Sequence, residues 1–295
     1  MHSDASDAPA TGRRQSVAIL IGALWVLCGA ATRPGAPVAA AARTALHAQA
    51  PAGSASQTAA PSTAAIWVGR APQMEAHLKN AEIVELEDIG TGVTKPQRAH
   101  LKPVEPFESL VWKPLPPGRR SGYWESYKSE VAAYELDKLL RMNMVPPAVE
   151  RSIDGQQGAA ILWVASIKSV KQSGGKMPGG AIWGRATRRM LTFDGLIGNP
   201  DRNAGNILIG PPGELILIDH SRAFTTDEKL PRKIERVDAE LWRRIQALTR
   251  DDLVRVLGSW IDGDAVEAML ARRKQMADAI DKLVAKKGRA MVVVE

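Results

Sequence analysis

Cysteine is nearly missing from this chain of 295 residues, with Cys28 the only one. A lone thiol cannot form an intramolecular disulfide or a cysteine-based metal site. Histidine is scarce too. The five present (His2, His47, His77, His100 and His220) show no metal-ligand spacing, which argues against a zinc enzyme. Aromatic residues make up 5% of the chain, and no aromatic-rich RNA-binding signature accompanies the basic residues. Internal repeats are absent. Long apolar runs are missing as well, except for one near the N-terminus.

That run, residues 17–31, follows Arg13 and Arg14 and gives way to small residues. A positive flank, a short apolar stretch and a small-residue cleavage region have the shape of a signal sequence. A spanning helix needs about 20 residues, so an uncleaved anchor is the second choice. Residues 30–64 are almost wholly Ala, Pro, Ser, Thr, Gly and Gln, a composition that cannot form a core. The expectation is therefore a signal peptide or membrane anchor over 1–42 and a disordered Ala/Pro/Ser-rich linker over 43–64. The folded remainder would be extracytoplasmic, periplasmic or secreted, touching membrane only through an uncleaved anchor.

Net charge is +7, from 39 Lys and Arg against 32 Asp and Glu. Such an excess can serve nucleic acid, anionic membrane or phosphate-bearing ligands. Here the basic residues are spread along the chain, so they are read as a solvated surface, and no nucleic-acid partner is expected.

Ordered patterning begins near Ala65. Residues 81–90 alternate apolar and polar side chains as a half-buried strand does. A glycine turn and a second strand follow, and "FESLVWKPL" (107–115) makes a third. "YWESYKSEVAAYELDKLLRMNMVPP" (123–147) predicts a helix stopped before Pro146. "GAAILWV" (158–164) is a further strand, and the glycine-rich segment after it marks a boundary. Residues 181–199 are helical, two short strands flank a "GPPGE" turn, and 238–287 hold two or three helices with Thr249 as an N-cap. A strand-rich half (65–166) thus precedes a mainly helical half (167–295). That is α+β with two lobes, and ligands commonly sit at such junctions.

The chemistry-bearing residues concentrate in "FDGLIGNPDRNAGNILI" (193–209) and "IDHSRAF" (218–224). Phosphoryl transfer from ATP needs a carboxylate to orient the acceptor hydroxyl, and a carboxylate with an amide to hold magnesium. It also needs a lysine on the phosphates, braced by a carboxylate, and backbone amides over them. Asp201 and Asn206 are spaced as in a kinase catalytic loop, where Asp is followed by four residues and then Asn. Asp219 ends the next strand, where a kinase places its metal-binding Asp. Each of these alone could be an Asx turn or a strand cap; their series favours a site. Lys113 ends the third strand. On the following helix, Ala132, Leu136, Leu139 and Leu140 define an apolar face. Glu125 falls on it if the helix already runs there. A carboxylate on a core-facing stripe wants a cation, so Glu125 is the first choice for bracing Lys113 or contacting metal, with Glu130 retained because helix ends shift. Gly90, Thr91 and Gly92 lie between the first two strands, where a phosphate-covering loop belongs.

"ESYKSEVAAYELDKLLRMNMVPP", "LIGNPDRNAGN" and "IDHSRAF" resemble motifs of the Golgi casein kinase family, atypical members of the protein-kinase-like superfamily. HipA-type and phosphatidylinositol 3/4-kinase-like enzymes carry similar loops. The resemblance covers about residues 80–225. It implies a bilobal kinase fold, Asp201 as catalytic base, and Asn206 and Asp219 as ligands of Mg²⁺ or Mn²⁺. It further implies Lys113 as the phosphate-gripping lysine, Glu125 as the helix carboxylate, and adenine near Trp163 and Val164. Asn203 stands where such loops often carry histidine. The cysteine framework of the animal secreted kinases is absent, and no Ala-Pro-Glu follows Asp219.

The expected function is ATP-dependent phosphotransfer to a hydroxyl of a protein, lipid or small molecule. The alternative is an extracytoplasmic pseudokinase that binds nucleotide or a partner without chemistry. An exported bacterial protein meets little ATP, which keeps that alternative in play. Against it stands the intact set of Lys113, Asp201, Asn206 and Asp219.

Overall fold

Five strands form an antiparallel sheet in the computed structural model, which describes residues 63–90 and 95–295. In chain order, α1 (Ala71–Asn80) leads to β1 (Ile83–Asp88), β2 (Gln97–Leu101) and β3 (Ser109–Lys113). A small hairpin, β4 (Gly118–Arg120) and β5 (Tyr123–Glu125), then precedes α2 (Tyr127–Leu140). Strands β6 (Ala148–Ile153) and β7 (Gln156–Leu162) complete the sheet in the order β1-β2-β3-β7-β6.

Alternation along the strands assigns the two faces. Leu110 and Trp112 of β3, Ala99 of β2 and Ala160 of β7 pack with Leu78 of α1 in one apolar cluster. Ser109, Val111 and Lys113 belong to the other face, so Lys113 points away from that cluster. Register places Gln97 opposite Trp112 and Lys113 opposite Ala159. The β1–β2 turn therefore emerges at the Lys113 end of the sheet. Gly158 explains how β7 and β3 approach so closely there. A Cβ on it would lie 2.7 Å from the Lys113 carbonyl oxygen and 2.7 Å from the Trp112 ring, so any side chain would push the strands apart.

After a two-residue strand, β8 (Lys168–Ser169), the chain becomes mainly helical. Helix α3 (Ala181–Ile197) ends at Gly198, which adopts φ +66°. A Cβ there would meet the Arg272 guanidinium at 2.8 Å. Glycine is thus required twice over, by conformation and by space. Strands β9 (Ile207–Ile209) and β10 (Leu215–Leu217) pair beside β8. Helices α4 (Ala239–Ala247), α5 (Arg250–Leu257) and α6 (Gly263–Lys287) follow. Thr249 caps α5 in a full capping box with Asp252, as its sequence position predicts. Arg272 of α6 donates to the carbonyls of Leu196 and Thr225, pinning the end of α3 to the segment that follows Asp219.

Three expectations need correction. Helix α2 starts at Tyr127, not Tyr123, because Ser126 takes extended angles and its hydroxyl accepts from the Lys128 amide at 3.0 Å. Residues 123–125 are strand instead. The helix also stops at Leu140, well before Pro146, because Arg141 turns left-handed. The chain then wraps around buried Asp137, whose carboxylate accepts the amides of Asn143, Met144 and Val145 at 2.9–3.2 Å. Burial pushes the Asp137 carboxyl up to about 7 against those three donors. Finally, α1 and β6 carry weak sequence patterns and are additions to the predicted elements. The expectations for residues 1–62, and for Thr91 and Gly92, lie outside the described residues. Among the described residues, no helix is long and apolar enough to cross a membrane.

Candidate active site

At the far end of β3, Lys113 is 5% exposed and reaches across to two carboxylates. Its Nζ donates to Glu130 Oε1 at 2.6 Å and to Asp219 Oδ1 at 2.8 Å. Strand, helix α2 and the segment after β10 are thereby joined through one ammonium. Burial alone would lower the lysine pKa, but Glu130 and Asp219 more than offset it and hold the group well above its ordinary range. Glu130 is 3% exposed. Burial would raise its carboxyl; Lys113 and the His220 amide, which donates to Oε2 at 2.9 Å, instead hold it far below the carboxylate range.

Glu130 is therefore the brace of Lys113. Glu125, the first choice from sequence, is not on the helix at all. It ends β5, 1% exposed, and accepts from Arg222 Nε at 2.8 Å. The helical projection extended back too far, because Ser126 sets the first turn after Glu125. The second Glu125 oxygen, Oε2, is buried without a partner among the described residues.

Turn chemistry in the "NPDRNAGN" loop is real, but Asn199 and Asn203 perform it. Asn199 Oδ1 accepts the Asp201 amide at 3.0 Å, and Asn203 Oδ1 caps a single 3₁₀ turn by accepting the Gly205 amide at 2.8 Å. The Asp201 carboxylate stays outward, its side chain 35% exposed, accepting from Asn203 Nδ2 at 3.2 Å and Arg222 Nη1 at 3.1 Å. Asn206 is nearly buried. Its Nδ2 donates to the Asp201 carbonyl at 2.9 Å, and its Oδ1 accepts no hydrogen bond among the described residues.

Asp219 adopts φ +59°, a left-handed conformation that Asp tolerates better than most residues. Lys113, aided by the Ser221 hydroxyl, holds its carboxyl below the usual range, although burial opposes this. Both donors use Oδ1. Oδ2 is left without a protein hydrogen bond among the described residues, and the side chain is 39% exposed.

Beneath these groups lies a core that sequence reasoning missed. Arg202 is wholly buried with all five N–H donors used. Nε and Nη2 grip Asp194 of α3 at 3.0 Å each. Nη1 takes the carbonyls of Asn206 (2.8 Å) and Ile218 (2.7 Å), and Nη2 also reaches His220 Nε2 at 2.9 Å. One guanidinium thus sets the loop of Asp201 against the strand end of Asp219. Because Arg202 can only donate, His220 Nε2 must accept, which places the ring proton on Nδ1, 3.5 Å from Glu130 Oε2. Burial first, and Arg202 second, keep His220 below its ordinary pKa despite Glu130. A sequence signal for this core existed: Asp194 is a carboxylate inside the apolar run "LTFDGLIG".

Elsewhere the expected residues are dispersed. Gly90 has φ +68° at the start of the β1–β2 turn. Trp163 follows β7, its amide donating to the Ser109 carbonyl, with the Arg98 guanidinium 4.7 Å above its ring. Val164 packs toward Trp67 and Leu162. Two cavities, of about 570 and 440 Å³, lie away from Lys113, Asp201 and Asp219. The space among those three residues is crossed by the Lys113 and Arg222 bridges.

The fold has counterparts among solved structures. The chain is similar to the Golgi casein kinase with Mn/ADP bound, with a TM-score of 0.59, 14% identity and coverage of 76% of this chain and 78% of that one. It is similar to hydra Fam20 with sugar, with a TM-score of 0.60, 17% identity and coverage of 76% and 92%. No protein-family model matches the chain, and no curated protein matches it. The fold is the α+β bilobal kinase-like fold of those structures.

Proposed function

We propose that this protein is an atypical kinase-like phosphotransferase that uses ATP with Mg²⁺ or Mn²⁺. The observation that carries this is the Lys113 bridge to Glu130 and Asp219, set beside the Asp201–Asn206 loop. A purely structural lysine needs one partner. This one, buried, joins a strand, a helix and a strand end beside that loop.

The residues present fit a divalent ion. Glu125, Glu130, Asp201 and Asp219 face Lys113 and Arg222, so two negative charges stand unbalanced, the charge of one such ion. Asn206 Oδ1 and Asp219 Oδ2 lack protein partners among the described residues, and the buried Glu125 Oε2 is orphaned. Among the described residues no three His, Cys, Asp or Glu side chains converge as a complete metal cage. That suits a hard ion completing its shell with water and phosphate oxygens. When bound, such an ion would neutralise phosphate charge. Asn206 and Asp219 would hold it, with Glu125 as a further contact.

In the mechanism, Lys113 positions the nucleotide phosphates, and Glu130 keeps its ammonium aimed and charged. Asp201 orients the acceptor hydroxyl and takes its proton. The acceptor oxygen bonds to the γ-phosphorus, and the bond to the β,γ-bridging oxygen breaks, leaving ADP with the electron pair. Gly90, with Thr91 and Gly92, would cover the phosphates, and the strand end at Trp163 and Val164 would receive adenine. The lobes divide near residues 166–167. The sequence pattern of residues 13–50 supports export.

One of the similar structures, the Golgi casein kinase, holds Mn and ADP. For this chain the test is thermal shift of the full-length protein with ATP, with and without Mg²⁺ or Mn²⁺, against Asp219→Ala. Metal-dependent stabilisation by several degrees in the wild type, lost in the variant, is expected. No shift in the wild type refutes nucleotide binding. Asp201→Ala should keep that shift and lose all transfer of labelled phosphate to protein, lipid or small-molecule acceptors. A second reading, nucleotide binding without transfer, draws on Arg222 occupying Asp201 Oδ2. Binding with no transfer to any acceptor class would favour it.

A further inference from the structure

Arg222 has no role in the expectations drawn from sequence, yet it bridges two of the site's carboxylates, as Lys113 bridges two others. It lies three positions beyond Asp219 and reaches back to Asp201 through Nη1 and to Glu125 through Nε. Its guanidinium rests 4.4 Å from the centre of the Tyr123 ring. Only two of its five donors are engaged, and Nη2 makes no protein hydrogen bond among the described residues. Its side chain is 19% exposed.

A latch built for stability would look different. Arg202 shows the form: a two-pronged grip on Asp194 with every donor satisfied. Arg222 meets Glu125 through one nitrogen and leaves Glu125 Oε2 orphaned. The result is a charged fork with open prongs, held between the loop of Asp201 and the strand end of Asp219. Planar forks of this kind pair with phosphate oxygens through parallel hydrogen bonds.

Resting on the kinase assignment above, we propose that Arg222 is a catalytic residue whose guanidinium pairs with the oxygens of the transferring γ-phosphoryl group. In this structure it is held on Asp201 and Glu125. With ATP present it turns to the phosphoryl oxygens, and Asp201 Oδ2 becomes free to accept the acceptor's proton. One movement therefore supplies positive charge where the transition state needs it and releases the base. The bonds formed and broken are those of the transfer written above, with no additional reactant.

The distinguishing measurement is nucleotide discrimination. ADP lacks the γ-phosphoryl group, so a residue that contacts that group is blind to its loss when ADP is bound. Affinities of full-length wild type, R222Q and R222K for Mn–ATP and Mn–ADP would be measured by calorimetry, with folding checked by circular dichroism. R222Q should lose about tenfold in ATP affinity with ADP within about twofold. R222K, which keeps the charge but not the fork, should show a smaller loss of the same kind, and it carries the test should R222Q fail to fold. Equal weakening for both nucleotides, or no change for either, overturns the role of Arg222 while leaving the kinase assignment standing. Failure of the wild type to bind either nucleotide overturns the assignment and the role with it.

Discussion

Arg202 grips Asp194 and Arg222 reaches Glu125 and Asp201, and the two use their guanidinium groups in opposite ways. Arg202 is sealed inside, with five donors matched to Asp194, His220 and two backbone carbonyls. Arg222 lies at the rim, with two donors engaged and the rest open. The same division runs through the whole cleft. Inside, Glu130, Lys113, His220 and Asp194 are partnered. By contrast, Asn206 Oδ1, Asp219 Oδ2 and the buried Glu125 Oε2 lack partners among the described residues. The paired set fixes geometry because a buried, fully paired network has one arrangement. The unpartnered set retains the bonding capacity that a ligand needs.

The largest expected effect breaks that contrast from the inside. Arg202→Ala should cost about 3–5 kcal/mol in urea unfolding, because it strands the buried Asp194 charge. R222Q should cost about 1–2 kcal/mol in the same experiment, since its partners are fewer and one is half-open to water. Equal losses would erase the distinction. Next, Glu130→Gln should cost about 2–3 kcal/mol, more than Glu125→Gln, because Glu130 serves both Lys113 and the His220 amide while Glu125 serves one donor. The reverse order would return the brace of Lys113 to Glu125.

Acid provides a third test. His220 is neutral when folded, with its pKa below the 6.5 of an unperturbed histidine. Below 6.5 the unfolded chain binds a proton that the folded one refuses, so stability falls as pH drops. Its contribution is fully present above 6.5 and is lost downward until the folded value is reached. His220→Asn keeps a donor near Glu130 and removes the titration, so the wild-type-minus-variant stability should decline as pH falls below 6.5. Glu130 and Asp219 lose their contributions at lower pH still, as each falls toward its depressed folded value. A flat difference curve would mean that folding leaves the His220 pKa unshifted, and a rise toward low pH would mean that His220 is charged in the fold. The smallest effect belongs to Asn203→Ala, about 1 kcal/mol by thermal melt, because it removes an exposed cap and one exposed hydrogen bond to Asp201.

Much of the fold was legible where the signals were local. The hairpin strands, helix α3, the paired short strands and the Thr249 cap each announce themselves within a few residues. Element α1 and strand β6 did not, since the first has little periodic contrast and the second follows a proline pair without a clear alternation. The loop of Asp201 was legible as a motif, but its division of labour was not. Asn199 and Asn203 shape the turn, and the Asp201 carboxylate faces outward instead of capping it.

Spacing along the chain was enough to place Asp201, Asn206 and Asp219 in a series with Lys113 upstream, because one loop and two adjoining strands hold the first three. Which carboxylate meets Lys113 was decided elsewhere, by Ser126 starting helix α2 only after Glu125 had passed. The partnerships of Arg202 with Asp194 and of Arg222 with Glu125 were also beyond the sequence. Lys113 and Asp219 are 106 residues apart, and His220 and Glu130 are 90 apart. Contacts of that separation depend on how sheet, helix and loop pack. Packing is set by the burial of the whole molecule, not by any short stretch of it.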